Sequence, residues 1–446
     1  MTQPMSSLSP RRAQAPWHGP AGLPAARPAA AREDGDNARF LAGVSYIFAA
    51  LVFLRLMISD PVMNLLVNYS GDGGSIIEKI HPCTQGMILL LVLTLLRVRI
   101  TLSEVEAGIV RQLMVLIAVI VMLASLVIVS GRSMAMGYLL ETYIGGCLAA
   151  VLMYALPAER RRIIGNVIVF YIVINSALSI IEKAGSFRIY PYPYNEATFR
   201  PTAFTSHPLA IGLFNAGATV FVLATRWRAS IKAACLLICV MGAFASGART
   251  GAIFTTLSVV AALAITPMPG TQSESRLRQR ILLFGTMVFG GTLLIAIAGV
   301  AGFLERFEGG YVDENAQARI DVYKVFDWVS WNEILFGADL LEIKAMVMER
   351  LKLLIESSVV IFVFQFGLFG AIIFAGTILW TFWRLAEATD WRASIALATF
   401  FATAMSNDTM SGKHFHLTTM MLLFVAFRTN RFDIGRGPKH VPWEAR

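Results

Sequence analysis

Residues 231–266 read IKAACLLICVMGAFASGARTGAIFTTLSVVAALAIT, and how this stretch is divided decides the fold. Its apolar run is interrupted only at Ser246-Gly247-Ala248-Arg249-Thr250, so it is either one long tilted helix or two short helices around a five-residue turn. The charges elsewhere in the chain separate the alternatives, because Lys and Arg accumulate in the short cytoplasmic connectors of a membrane protein. With the turn kept and the N-terminus inside, the inner side carries 24 Lys and Arg against 7 outside, leaving out the long segment 303–358. Merging the two helices flips everything downstream and leaves 15 against 15. The turn is kept, and Arg249 falls on the outer side.

Composition places the chain in the class that this argument needs. Of 446 residues, 56% are hydrophobic and 15% charged, against about 45–50% and about 25% in a soluble domain. Mean hydropathy is +0.63, which excludes an ordinary soluble protein. Taking a span as about 20 apolar residues, with shorter ones tolerated where neighbours shield them, twelve spans are expected. They are Phe40 to Ile58, Pro82 to Leu96, Leu113 to Ser130, Tyr138 to Leu156, Ile163 to Ile181, Pro208 to Ala224, Ile231 to Ala245, Gly251 to Thr266, Ile281 to Gly302, Val359 to Phe382, Ala393 to Met405 and Phe415 to Phe427. The expected organisation is a disordered cytoplasmic tail (1–39), an all-α polytopic transmembrane domain (40–427) whose large periplasmic loop is 303–358, and a cytoplasmic tail (428–446). A net charge of +9 reports membrane orientation rather than nucleic-acid binding, since the basic residues sit in the short connectors.

Cys83, Cys147, Cys235 and Cys239 lie in or beside apolar runs without the paired spacing of a disulfide framework or zinc site, and read as small packing residues. Gly145-Gly146 and Gly290-Gly291 read as close-packing positions between helices. There is no P-loop, dinucleotide fingerprint or HExxH, and no cytoplasmic segment large enough to hold a nucleotide. Any transfer reaction must therefore draw on the membrane or the outer compartment.

The outer segments 182–207, 246–250, 303–358 and 406–414 hold most of the informative polar residues. Arg200 stands seven residues before His207-Pro208, where a helix begins. A guanidinium at membrane depth needs a partner, snorkelling or a ligand; its planar fork suits phosphate oxygens, although a headgroup anchor is the plainer use. His207 either caps a helix start or serves as a reactive group. Lys413, His414 and Asp408 make a small polar cluster at the last outer turn, read either as a solvated cap or as part of a site. His414 and His416 are spaced i, i+2, which on a helix points them to different faces, so no metal site is expected. Ile343, Val347, Leu351 and Leu354 form an apolar stripe at helical spacing. The stripe suits a helix lying on the bilayer and leading to Glu356, itself read as a helix-terminal acid or a base. Tyr190-Pro-Tyr192-Pro-Tyr194 is an aromatic rod, fit for an interfacial belt or for stacking on a sugar.

In order, Arg200-Pro-Thr-Ala-Phe-Thr-Ser-His207-Pro208-Leu209, Ser246-Gly-Ala-Arg249, Arg319 about eighteen residues before Gly337 of Phe336-Gly337, and Gln365-Phe-Gly367-Leu-Phe-Gly370 resemble the bacterial O-antigen ligase and polymerase superfamily, most nearly a Wzy-type exopolysaccharide polymerase. The resemblance covers roughly residues 190–372. It implies a GT-C-like, metal-independent membrane glycosyltransferase of the bacterial inner membrane that needs no cofactor. The donor would be an undecaprenyl-pyrophosphate-linked oligosaccharide, with Arg200, Arg249 and Arg319 on the pyrophosphate and Glu356 and His207 as catalytic residues. It also brings in the lipid bilayer, a flippase and a chain-length regulator as partners. Ligases of the superfamily carry a histidine eleven residues before the first glycine of Gly-xx-Gly; here that position is Glu356. This departure favours polymerisation of lipid-linked repeats over ligation of a finished glycan to a lipid acceptor. A lipid-linked sugar flippase or other transporter is the rival of a different class, disfavoured by ionisable residues that gather at the outer ends, Arg55 excepted, and by the lack of a two-half repeat.

Overall fold

A computed structural model describes residues 29–70, 75, 77–132, 136–192, 198–265, 299 and 314–428. Among these residues the chain is helical without strands, and from Leu41 onward they belong to one compact unit. The helices are α1 (Ala29–Met57), α2 (Pro82–Arg97), α3 (Glu104–Val129), α4 (Leu139–Ala155, opening with a π turn), α5 (Ala158–Gly185), α6 (Pro208–Ala224, ending in a 3-10 turn), α7 (Ala229–Ala245) and α8 (Arg249–Ile265). Beyond the undescribed residues come α9 (Glu314–Asp321), α10 (Trp331–Phe336), α11 (Leu340–Leu351), α12 (Ser358–Glu387), α13 (Trp391–Ala404) and α14 (His416–Ala426).

Among the described residues, four helices are long and apolar enough to cross a membrane: the Gly35–Met57 part of α1, then α3, α5 and α12. Helix α3 shows the physical signature. Leu113, Leu116, Ile120 and Leu123 are buried while Val115, Val121, Met122, Leu126 and Ile128 on its other side are exposed, so it is apolar all round, as a helix with lipid on one side must be. Its start is fixed by a capping box in which Ser103 and Glu106 satisfy each other's backbone N–H groups. Shorter apolar helices are α2, α4, α6, α7, α8 and α14, and most expected spans coincide with a helix to within a few residues. Gly290-Gly291, the tails 1–28 and 429–446, and the expected span Ile281 to Gly302 apart from residue 299 lie outside the described residues.

The stretch that opened the reading is broken as expected. Helix α7 ends at Ala245 and α8 begins at Arg249, with Gly247 between them at φ +65°, a conformation open to glycine at little cost. Gly212 of α6 meets Gly251 of α8 almost backbone to backbone, since a Cβ added at Gly251 would stand 2.4 Å from the Gly212 Cα. The Gly145-Gly146 expectation also holds: an added Cβ at each would come within 2.7 Å of Thr84 or Thr418. All four cysteines are buried free thiols.

Two devices shape the connectors. Buried Glu182, near the end of α5, accepts backbone N–H bonds from Ile189 (2.9 Å), Thr202 (2.9 Å) and Ala203 (2.7 Å), and Asn175 accepts from Phe204 N–H at 3.0 Å. These bonds satisfy backbone groups of an irregular segment that packs indoors and hold Arg200 in place. The second device is a pair of glycines. Gly367 sits inside α12 at φ +75° and kinks it, while Gly337 closes α10 at φ +90°. A Cβ at Gly367 would lie 2.4 Å from the Leu335 carbonyl, and Ala338 N–H donates to the Phe364 carbonyl at 2.8 Å.

Helix α11 departs from expectation. Ile343 and Val347 are buried with Val322, Val325, Ile355, Val360 and Phe364 in a small core of their own, and Leu351 packs against it. The apolar stripe is therefore covered by the chain instead of by lipid; only Leu354, beyond the helix, is exposed. The sequence pattern shows a face that must be covered and does not show by what.

Candidate functional site

Three of the singled-out residues, Arg319, Arg200 and Asp408, bear electrostatically on a fourth, Glu356. The carboxylate stands just before α12, and Arg319 of α9 reaches it with Nη2 3.8 Å from Oε2, both side chains being partly exposed (34% and 48%). That separation is an ion pair too long for a hydrogen bond. Arg319 Nε is buried and makes no hydrogen bond among the described residues, so the guanidinium holds donor capacity in reserve. Burial pushes the Glu356 carboxyl above the usual carboxylate range, with the negative charge of Asp408 acting the same way and Arg319 and Arg200 opposing. The carboxyl thus feels two cations and one like charge, drawn from separate parts of the chain.

Arg200 is buried, with 7% of its surface exposed, and its Nε donates to the Ser246 carbonyl at 3.2 Å. That bond ties the 198–207 segment to the turn that launches α8, where half-buried Arg249 is the first residue. Arg188 donates from Nε to the Arg200 carbonyl at 3.1 Å and lies over the rings of Tyr192 and Phe199 at 4.4 and 4.7 Å. Tyr194 lies outside the described residues; Tyr190 packs on Phe204 and donates to the Met57 carbonyl at 2.8 Å. Arg200, Arg319 and Asp408 therefore share the neighbourhood of Glu356, with Arg249 joined to it through Ser246.

His207 stands at the N-cap of α6, where its Nδ1 accepts the Leu209 N–H at 3.2 Å. Its ring lies 5.9 Å from that of Tyr192. The capping role is in place, and it fixes the ring's orientation.

The expected cluster of Asp408, Lys413 and His414 is divided. Asp408 is exposed and bears on Glu356, whereas the Lys413 ammonium lies 4.5 Å over the Tyr69 ring and donates to the Tyr69 carbonyl. Burial lowers the Lys413 pKa to about 8, with Lys79 adding to the effect. His414 influences Asp60 instead. His414 and His416 also fail to diverge: their rings touch at 5.4 Å, because α14 begins only at His416 and helical spacing does not govern the residue before it.

Sequence reasoning passed over a second charged centre. Arg55 of α1 is 3% exposed, and its Nε meets Glu141 Oε1 at 2.8 Å. Glu141 also accepts from Thr84 Oγ1 at 2.7 Å and from the His81 N–H at 3.0 Å. Arg55 Nη2 donates to the Tyr69 hydroxyl at 3.3 Å and to the Lys413 carbonyl at 3.5 Å. The guanidinium lies 5.3 Å over Phe415, and Asp60 stands 4.0 Å away. Burial, with Arg55 acting the same way, holds the His81 imidazole down to about 3; neutral, it caps α2 by accepting from Cys83 N–H. The available signal was a pair of opposite charges, Arg55 and Glu141, each inside an apolar run, where an ionisable side chain calls for a partner.

No protein-family model, curated protein or solved structure matches the chain. The chemistry of the site rests on its geometry and on the motif resemblance.

Proposed function

We propose that the chain is a multi-pass glycosyltransferase of the bacterial inner membrane, a twelve-span protein of GT-C-like architecture that polymerises undecaprenyl-pyrophosphate-linked oligosaccharide repeats at the periplasmic face. The observation that carries this reading is the convergence on Glu356 of Arg319, Arg200 and Asp408, three of the positions singled out in the sequence, with Arg249 tethered nearby through Ser246. In the proposed reaction an acceptor hydroxyl attacks the anomeric carbon of the donor. The new glycosidic C–O bond forms as the bond from the anomeric carbon to the pyrophosphate oxygen breaks, and the hydroxyl proton passes to Glu356. The leaving lipid pyrophosphate is stabilised by the arginines, charge stabilisation being the main catalytic contribution in a site of this kind. A pyrophosphate that draws Arg319 toward itself also removes an influence lowering the Glu356 pKa, which makes the carboxylate a stronger base when the donor is seated.

The buried Arg55–Glu141 pair favours a second reading, since intramembrane charge pairs often mark transport pathways. Lipid analysis of a deletion strain separates the readings. Accumulation of single lipid-linked repeats on the outer leaflet, with little polymer, is expected; long lipid-linked chains that fail to reach an acceptor would indicate a ligase, and repeats trapped on the inner leaflet a flippase. Complementation with Arg249→Lys is expected to restore polymer poorly, roughly ten-fold or more below the parent, because an ammonium lacks the paired bonds of a guanidinium. A headgroup anchor would tolerate the same change, since lysine also snorkels.

A further inference from the structure

Helices α3 and α12 lie side by side in opposite directions, and their contacts fix a register. A Cβ added at Gly108 would stand 3.8 Å from the Arg384 guanidinium, Gln112 Nε2 donates to Thr381 Oγ1 at 3.3 Å, and a Cβ at Gly370 would come 3.2 Å from Leu123. At the far end Arg132, just beyond α3, donates to the Phe336 carbonyl at 2.9 Å, and Gly337 meets Gly367. Helix α10 is thereby fastened to the pair at the level of Gly367.

The pair also carries a ruler for the membrane. Arg384 bonds Glu387 at 2.9 Å, and Trp380 and Trp383 beside it are 55% and 57% exposed, charge and indole together marking a boundary between hydrocarbon and headgroups. From Arg384 back to Gly367 is 17 residues, about 26 Å of helix, whereas a hydrocarbon core is about 30 Å thick. Tilt shortens the vertical distance further. Gly367 and the Phe336–Gly337 backbone against it thus stand at the opposite boundary and not in the water beyond it. Phe369 and Ile372 of α12 and Leu126 and Val129 of α3, all more than half exposed, continue the lipid-facing surface up to this level.

We propose that α10 is a membrane foot of the 314–357 segment, with Trp331 and Phe336 inserted into the acyl-chain edge of the leaflet at this end, the outer one in the twelve-span reading. These side chains are 75% and 63% exposed, while Ile334 between them is 8% exposed. Tryptophan is at home at such an interface, and Trp331 stands at the end opposite the Trp380 and Trp383 belt. The short helix also leaves few backbone groups wanting water. Ser330 and Glu333 close a capping box at its start, Gly337 N–H donates to the Glu333 carbonyl at 2.8 Å, and the Phe336 carbonyl accepts from Arg132, as backbone beside lipid requires. The bilayer contact expected of α11, whose stripe the chain itself covers, falls to α10 instead. Lipid contact at α10 does not depend on the glycosyl-transfer reading.

The native cysteines are all buried, so Trp331→Cys and Phe336→Cys can each be labelled with the fluorophore NBD in the full-length protein, which is then reconstituted into phosphatidylcholine bilayers. Val129→Cys, at the exposed end of α3, and Lys344→Cys, on the exposed side of α11, are the references for lipid and for water. Lipids with a nitroxide near the top of the acyl chain should quench NBD at 331 and 336 as strongly as at 129. They should also quench it more than lipids with the nitroxide near the chain end, since an interfacial helix reaches only about 5–10 Å into the leaflet. Aqueous iodide should quench position 344 and leave 331 and 336 nearly unchanged. Iodide quenching at 331 and 336 equal to that at 344 would overturn the foot and return α10 to the periplasm. Shielding of both positions from nitroxide and iodide alike would overturn it too, by showing that protein, this chain or a second copy, covers the face.

Discussion

The two charged centres of this protein are built in opposite ways. Arg55 and Glu141 project from helices, meet at 2.8 Å and are closed off from solvent, and Glu141 takes two further hydrogen bonds. Arg319 and Glu356 come from a short helix and a connector, stand 3.8 Å apart and remain partly exposed. In the first centre the carboxylate's bonding capacity is largely used within the chain, as a buried charge requires. In the second, a loose pair leaves donors and lone pairs for something else. Charge inside an apolar run and charge at a connector thus look alike in sequence but differ in what is left over for chemistry.

The largest expected effect tests the closed centre. Arg55→Met leaves Glu141 buried without its cation and is expected to cost about 3–5 kcal/mol, read as a lower thermal midpoint and lower yield of monodisperse protein in detergent. Arg55→Met combined with Glu141→Leu should recover most of that loss. An Arg55→Met protein as stable as its parent would mean that the pair is not holding the fold, and the comparison between the two centres would collapse in favour of a transport pathway.

The open centre should behave in the reverse manner. Glu356→Gln is expected to lower polymer formation roughly ten-fold or more while stability changes by about 0.5 kcal/mol or less. Because burial raises the Glu356 pKa, the acidic limb of the pH–rate profile should lie above the ordinary glutamate range. A general base works ionised, so activity falls as pH drops through that raised value, and the limb should vanish from residual activity in Glu356→Gln. The stability linkage has the opposite sign: a raised folded pKa favours the protonated fold, so this group's contribution weakens as pH rises through it. An unchanged limb would return Glu356 to the role of a helix-terminal acid.

The smallest effect sharpens the reading of His207. Asparagine also caps, so His207→Asn should change stability by only a few tenths of a kcal/mol, whereas His207→Ala should cost about 1 kcal/mol. If the ring acts only as a cap, polymer yield follows stability in both variants. A ten-fold loss in the well-folded Asn variant would instead place the imidazole in the chemistry.

Apolar run lengths and connector charges carried the helical membrane class, most helix positions and the break at 246–248, because each depends on local hydropathy and on a count along the chain. The same reading picked out Arg200, Arg319, Glu356 and Asp408 as residues of interest, since polar groups at the ends of apolar runs stand out in one dimension. Their convergence on one carboxyl was not legible: it depends on Glu182 pinning the backbone at Ile189, Thr202 and Ala203 and on Gly337 and Gly367 meeting, contacts that exist only in the folded chain. The cover over Ile343 and Val347 was hidden for the same reason, because an apolar stripe states only that it avoids water. The parting of Asp408 from Lys413 likewise arose in three dimensions, where buried Tyr69 takes the ammonium and leaves the carboxylate to face Glu356. Hydrophobicity is additive along the chain and can be read from it; the pairing of charges depends on distance and desolvation, which exist only once the helices have packed.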